Sequence, residues 1–249
     1  MTGAIPDIAL IIPARNEEAA LPAVLAQVPA EIRRVLVVNN GSTDRTAAVA
    51  REHGADVIHE PRAGYGSACL AGLAALADTP PEIVAFVDAD GSDDLASLPA
   101  LIAPVVAGEY DFMLGRRIPV ESGALSPQQR FGHWLATGLI RLFWNHHFLD
   151  LGPMRVIRWD ALQRLNMADR AFGWTVEMQV RAVTQGLSIG ELDVPYRQRC
   201  AGVSKISRTI SGTVRAGSTI LWVIGRELLR NLQQTPRRGA QPVTVKSSS

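Results

Sequence analysis

Four short segments, residues 8–12, 34–38, 56–59 and 82–87, constrain this chain more than any other feature. The first, Ile8-Ala9-Leu10-Ile11-Ile12, is apolar at every position rather than at alternate ones. A strand of that kind must be covered on both faces, as in a parallel sheet flanked by helices. Helical stretches near residues 45–53 and 64–77 separate the segments. This alternation predicts an α/β fold: a Rossmann-like, mostly parallel sheet with helices on both faces. Ligands of such sheets bind at the carboxyl ends of the strands. Three polar segments are therefore expected at one sheet edge: Pro13-Ala14-Arg15-Asn16-Glu17, residues 39–44 and residues 88–94. Asn16 is expected to cap the first helix.

The second half is less regular. A strand is expected from Tyr110 to Leu114, ending at Gly115-Arg116-Arg117. Ser126-Pro127-Gln128-Gln129 carries a helix-start signature, a capping Ser with Gln three residues on, and that helix is expected to run to about His147. Residues 151–158 and 188–194 read as strands and 174–185 as a helix. Ile206, Ile210, Val214, Gly217, Leu221, Ile224 and Leu228 mark one face of a long C-terminal helix.

The run Asp88-Ala89-Asp90-Gly91-Ser92-Asp93-Asp94 places four carboxylates within seven residues, directly after an apolar segment. Gathering them calls for a compensating cation, and hard ions such as Mg²⁺ or Mn²⁺ prefer such oxygens. Taken alone, the same run also reads as a solvated loop capping the next helix.

The net charge of +1 gives no pull toward nucleic acid. The two cysteines, Cys69 and Cys200, form neither a disulfide framework nor a metal-ligand pair. The start of the chain lacks a secretory signal, and residues 216–225 fall short of the roughly 20 residues of a membrane span. These features lead to the expectation of a cytoplasmic protein.

Seven motifs, in order, resemble glycosyltransferase family 2, in particular its dolichol-phosphate mannosyltransferase-like branch with the GT-A fold. They are Ile12-Pro13-Ala14-Arg15-Asn16-Glu17, Asn40-Gly41-Ser42-Thr43-Asp44, Gly64-Tyr65-Gly66-Ser67-Ala68, Asp88-Ala89-Asp90, Gly115-Arg116-Arg117, Asp150-Leu151-Gly152-Pro153-Met154-Arg155 and Gly202-Val203-Ser204-Lys205. The resemblance implies inverting transfer of a sugar from a nucleoside-diphosphate donor with help from Mg²⁺ or Mn²⁺. It implies that Asp90 meets the metal directly and that Asp88 holds ribose or joins the metal shell. Pro13, Arg15, Glu17 and Asn39 match positions that bind base and ribose; Gly66 belongs to the donor side; Arg199 and Lys205 are the cations for the diphosphate. Many members carry Asp where this chain has Asn39, which leaves the base open.

The resemblance covers roughly Ile8 to Ser211, and with the helix pattern that follows, one domain is expected over residues 1–233. Its nucleotide-sugar half covers about 1–117, its irregular acceptor half about 118–207 and an amphipathic helix about 208–232, followed by a disordered tail, 234–249. The branch uses a polyprenyl phosphate acceptor, for which Arg116, Arg117, Arg130 and Arg155 are candidate cations, Arg117 the best matched. A hydroxyl acceptor would need a base, for which Glu177 and Asp150 are the choices. The apolar, aromatic and basic faces of the two long helices suit the inner surface of a membrane, and equally core packing or a homodimer contact. Two other classes fit less of the chain. A dinucleotide-binding reading of Gly64-Tyr65-Gly66 lacks the third small residue at Cys69. A nucleotidyltransferase needs a Gly-rich, Lys-bearing loop after the first strand. A catalytically silent nucleotide-sugar-binding module remains as a further alternative.

Overall fold

The computed structural model describes residues 6–199 and 210–234. Lys205, with the rest of Gly202-Val203-Ser204-Lys205, lies outside the described residues, as does the tail from residue 235. The strands are β1 (Ile8–Ala14), β2 (Arg34–Asn39), β3 (Asp56–His59), β4 (Ile83–Phe86), β5 (Phe112–Pro119), β6 (Arg155–Arg158) and β7 (Ile189–Tyr196). The helices are α1 (Leu21–Leu25), α2 (Thr46–Glu52), α3 (Tyr65–Leu76), α4 (Leu98–Val106), α5 (Pro127–Trp144), α6 (Trp159–Leu165), α7 (Trp174–Thr184) and α8 (Ile210–Gln234).

One sheet of seven strands has the order β3-β2-β1-β4-β6-β5-β7. Every pairing is parallel except those of β6, which runs against both β4 and β5. Period-two alternation sorts the side chains into two layers. Ala9, Ile11, Val84, Phe86 and Phe112 face α3, α5, α6, α7 and α8. Ile8, Leu10, Ile12, Ala85 and Val156 face α1, α2 and α4. The result is the expected α/β sandwich with helices on both faces.

Several local expectations are corrected. β5 does not end at Gly115 but continues to Pro119, because β7 pairs with it through Tyr196. The strand expected over 151–158 is only Arg155–Arg158, and α6 follows it. The capping box at Ser126 and Gln129 forms as expected. Its helix stops at Trp144 because Asn145 turns left-handed, at φ 52°. Asn16 caps no helix: it too is left-handed, at φ 53°, and its side chain bonds across to the next loop.

Candidate active site

The loops after β1, β2 and β3 are locked together by side-chain-to-backbone bonds. Thr43 N–H donates to Asn16 Oδ1 at 2.8 Å, Asn16 N–H to Ser42 Oγ at 3.0 Å and Glu17 N–H to Thr46 Oγ1 at 2.9 Å. Arg45 N–H donates to Glu18 Oε2 at 2.8 Å. The Asn40 amide donates to the carbonyls of Glu60 and Arg62 and accepts from Gly64 N–H. Asn39 Oδ1 accepts from Ser42 N–H at 3.0 Å, and its amide nitrogen lies 3.3 Å from His59 Nδ1. The Asn-Asn-Gly-Ser-Thr-Asp run thus helps fix the rim of the sheet. Pro13 and Glu17 are half-buried there and Arg15 is exposed.

The acidic loop after β4 lies on the same edge. Asp90 is 7% exposed; its Oδ1 accepts from the N–H and hydroxyl of Ser92, and its Oδ2 lies 2.5 Å from an Arg199 nitrogen. Arg197 pairs with Asp94 at 2.6 Å, and Arg197 N–H donates to the Ser92 carbonyl. The segment leaving β7 is therefore zipped onto the acidic loop by two ion pairs. Burial, then the neighbouring Asp90 and Asp93 charges, push Asp88 well above the usual carboxylate range. Burial also raises Asp93, to about 7. Asp93 Oδ2 accepts from Asp88 N–H, while its buried Oδ1 has no partner among the described residues. Among those residues no three His, Cys, Asp or Glu side chains converge into a cage for a metal. Mg²⁺ needs less, one or two carboxylates completed by water and phosphate oxygens. Asp88 and Asp90, beside the orphaned Asp93 oxygen, fit that donor set.

Across β5 lies a basic cavity of about 200 Å³, lined by Arg116, Arg117, Gln129, Arg130, His133 and Asp150, among others. Arg117 grips Asp150 with two nitrogens, at 2.7 and 2.8 Å, and lies over the Tyr196 ring. Burial works against the Asp150 charge, yet the hydrogen bonds from Arg117 and the proximity of His133 hold it well below the usual range. Arg116 pairs with Asp193 at 2.8 Å. The same helix that lends Arg130 and His133 to the cavity exposes Phe131, Trp134, Leu142 and Phe143, with Trp134 67% exposed. Beside it α8 exposes Leu221, Trp222, Leu229 and Leu232.

The profile described as glycosyl transferase family 2 matches residues 9–165. An uncharacterized glycosyltransferase of Mycobacterium tuberculosis is 46% identical over 216 residues, covering 84% of this chain and 94% of the relative. The chain belongs to glycosyltransferase family 2. A dolichyl-phosphate hexose transferase of Haloferax volcanii is 31% identical over 227 residues, 90% of this chain and 96% of that one. Glucosyl-3-phosphoglycerate synthase from Mycobacterium tuberculosis, solved with phosphoglyceric acid, superposes with a TM-score of 0.71 at 21% identity, over 88% of this chain and 80% of that one. That likeness shows the GT-A fold. The same enzyme has also been solved with Mn²⁺, uridine diphosphate and glucosyl-3-phosphoglycerate.

Three expected site residues of this glycosyltransferase have another setting. Glu177 is fully buried and accepts from the N–H groups of Ala168 and Asp169, while pairing with Arg181 at 2.8 Å and Arg226 at 2.5 Å. With its lone pairs so engaged it joins α7, α8 and the 168–169 turn, and it has no free oxygen to act as a base. Gly66 packs on backbone: a Cβ there would lie 2.1 Å from the Asp169 carbonyl oxygen. Gly64, at φ 146°, meets Arg170 in the same way. Arg155 is 1% exposed and donates to the carbonyls of Gly152, Leu151 and Thr175. Burial lowers its pKa to about 10. It braces the Asp150-to-Arg155 turn and is not free for an acceptor. His133 had no signal in the sequence beyond its place two turns into α5.

Proposed function

We propose that the protein transfers a sugar, with inversion, from a nucleoside-diphosphate sugar to a polyprenyl phosphate of the dolichyl type at a membrane surface. The reading is carried by one juxtaposition: a cavity walled by Arg116, Arg117 and Arg130 adjoins an exposed aromatic face on the same helix. A phosphate head and an isoprenoid tail ask for that pairing of charge and apolar surface. A relative named for dolichyl phosphate supports it. No described helix is long and apolar enough to cross a membrane; the exposed apolar faces of α5 and α8 are the surfaces that would meet lipid, in this reading from the cytoplasmic side.

Pro13, Arg15, Glu17 and Asn39 would receive base and ribose, and Arg199, with Lys205, the diphosphate. Asp88 and Asp90 would hold Mg²⁺ or Mn²⁺, which when bound supplies positive charge opposite the departing diphosphate. Arg117, held rigid by Asp150, would orient the acceptor phosphate so that its oxygen attacks from the face opposite the leaving group. A phosphate is anionic near neutral pH and needs less help from a base than a hydroxyl does.

The test pairs UDP-, GDP- and dTDP-sugars with a polyprenyl phosphate in anionic vesicles, with and without Mn²⁺. Sugar transfer to lipid, lost in Arg130→Ala and with Trp134→Ser, supports the reading. Transfer only to a water-soluble acidic alcohol, with vesicles left unbound, would refute it in favour of a hydroxyl acceptor.

A further inference from the structure

We infer that His133, held by Asp150, receives the proton of the acceptor's attacking oxygen. This rests on the acceptor cavity proposed above and assigns the one histidine among its described lining residues. His133 Nδ1 is buried and lies 3.1 Å from Asp150 Oδ1, within ion-pair distance but outside hydrogen-bond geometry. Asp150 is kept ionised by Arg117 and by the N–H groups of Arg117 and Leu151. An ionised carboxylate at Nδ1 selects the tautomer protonated there, so Nε2 carries the lone pair. Since Nδ1 is turned to Asp150 and the ring borders the cavity, Nε2 is the nitrogen left for the cavity. No partner is seen for it among the described residues.

Every charged group around the ring fits this role. From β5, Arg116 and Arg117 line the cavity, the first paired with Asp193 and the second with Asp150. Arg130 comes from the helix of His133 itself. Glu191 of β7 is turned to the N–H groups of Leu149 and Asp150. From α7, Gln179 donates to the Asp150 carbonyl, and Glu177 and Arg181 are occupied with each other and with α8. From α8, Ile220 packs near Gly132 and brings no charge. Asp150 lies at Nδ1, with Arg116, Arg117 and Arg130 lining the cavity around the ring. That is a setting in which a ring nitrogen can meet the acceptor's proton.

The chemistry balances simply. Below its second pKa, near 6, a phosphate monoester holds a proton on one of the oxygens that could attack. That proton passes to Nε2, and the freed electron pair forms the bond to the anomeric carbon. The bond from that carbon to the diphosphate oxygen breaks, and its electrons leave with the nucleoside diphosphate. The proton on Nε2 is then lost to water.

The experiment is a pH profile of kcat/KM for polyprenyl phosphate in vesicles, with the donor that the wild type accepts. His133→Gln should move the acid limb up by about one pH unit, because ionisation then depends on the phosphate alone. At pH 5.5 the variant should lose about threefold more than it does at pH 8.5, and the gap should approach about tenfold well below pH 5. Imidazole added to His133→Ala should restore part of the loss at pH 5.5. The thermal shift given by the donor should match that of the wild type in both variants. An unchanged profile, or a deficit equal at both pH values, overturns the assignment while leaving the acceptor reading intact. A wild type that transfers nothing to the lipid overturns both.

Discussion

Arg199 occupies the carboxylate that the resemblance assigns to a divalent ion, and this yields a prediction of unusual sign. Its terminal nitrogen lies 2.5 Å from Asp90 Oδ2, with side chains 30% and 10% exposed. A charge-assisted hydrogen bond is worth about 1.5–3 kcal/mol when shielded. With Arg199 partly in solvent, screening brings it to about 1 kcal/mol. An ion arriving at Asp90 in the absence of donor must compete with that pair. Arg199→Gln should therefore bind Mn²⁺ alone about fivefold more tightly than the wild type, the factor that about 1 kcal/mol represents. Arg197 still ties the segment to Asp94, so the loop should keep its place. The assay is titration of free Mn²⁺ by electron paramagnetic resonance at fixed ionic strength, with Asp90→Asn as the variant that loses binding. When nucleoside diphosphate is added the sign should reverse, since the same guanidinium is the cation expected on the diphosphate. An Arg199→Gln protein that binds Mn²⁺ no more tightly than the wild type would refute the competition.

Gly66→Ala should lower stability by about 1–3 kcal/mol through overpacking against the Asp169 carbonyl, read as a fall in the urea midpoint; unaltered stability with a raised donor KM would return Gly66 to the donor site. Glu177→Gln should cost about 1.5–3 kcal/mol, because it removes one buried carboxylate from Arg181 and Arg226 while Glu227 still pairs with both, and the shape of the pH–rate profile should stay unchanged; a lost basic or acidic limb with normal stability would restore it as a base. Asp150→Asn should destabilise the protein at pH 7, measured by denaturant unfolding. Its folded pKa lies below the unfolded value near 3.9, so its contribution is fully present above that value and is lost as pH falls through the folded one. The gap between wild type and variant should thus narrow as pH is taken from 7 toward 2, and a gap that widens would contradict the depressed pKa.

The strands of the first half were legible because each has an apolar centre and is bounded by turn residues; β3 falls on the expected residues 56–59 around Val57 and Ile58. Ser126 and Gln129 were legible because a capping box is local chemistry. The second half was harder, since its elements are set by partners distant in sequence. β5 runs past Arg117 only because β7 pairs with it, and four residues of β6 suffice because β4 and β5 hold both sides. Asn16 read as a cap by residue type, yet a left-handed backbone redirects it to Thr43. The acidic loop was visible as a cluster, but its ties to Arg197 and Arg199 span more than a hundred residues and leave no local trace. The settings of Glu177 and Gly66 left no trace in the sequence for the same reason: a buried ion network and a backbone contact with residues 169–170 exist only after folding.

The knitted rim made by Asn16, Asn40, Ser42, Thr43 and Thr46 has a consequence for how such an enzyme can change. A surface that stiff before any guest arrives selects by shape and spends little entropy on closing. Replacing one residue there loosens two loops at once, so, with the donor bound as proposed, a switch of nucleobase would demand several simultaneous substitutions. The wall formed by α5 is fastened at fewer points, and new acceptors can be accommodated there one side chain at a time.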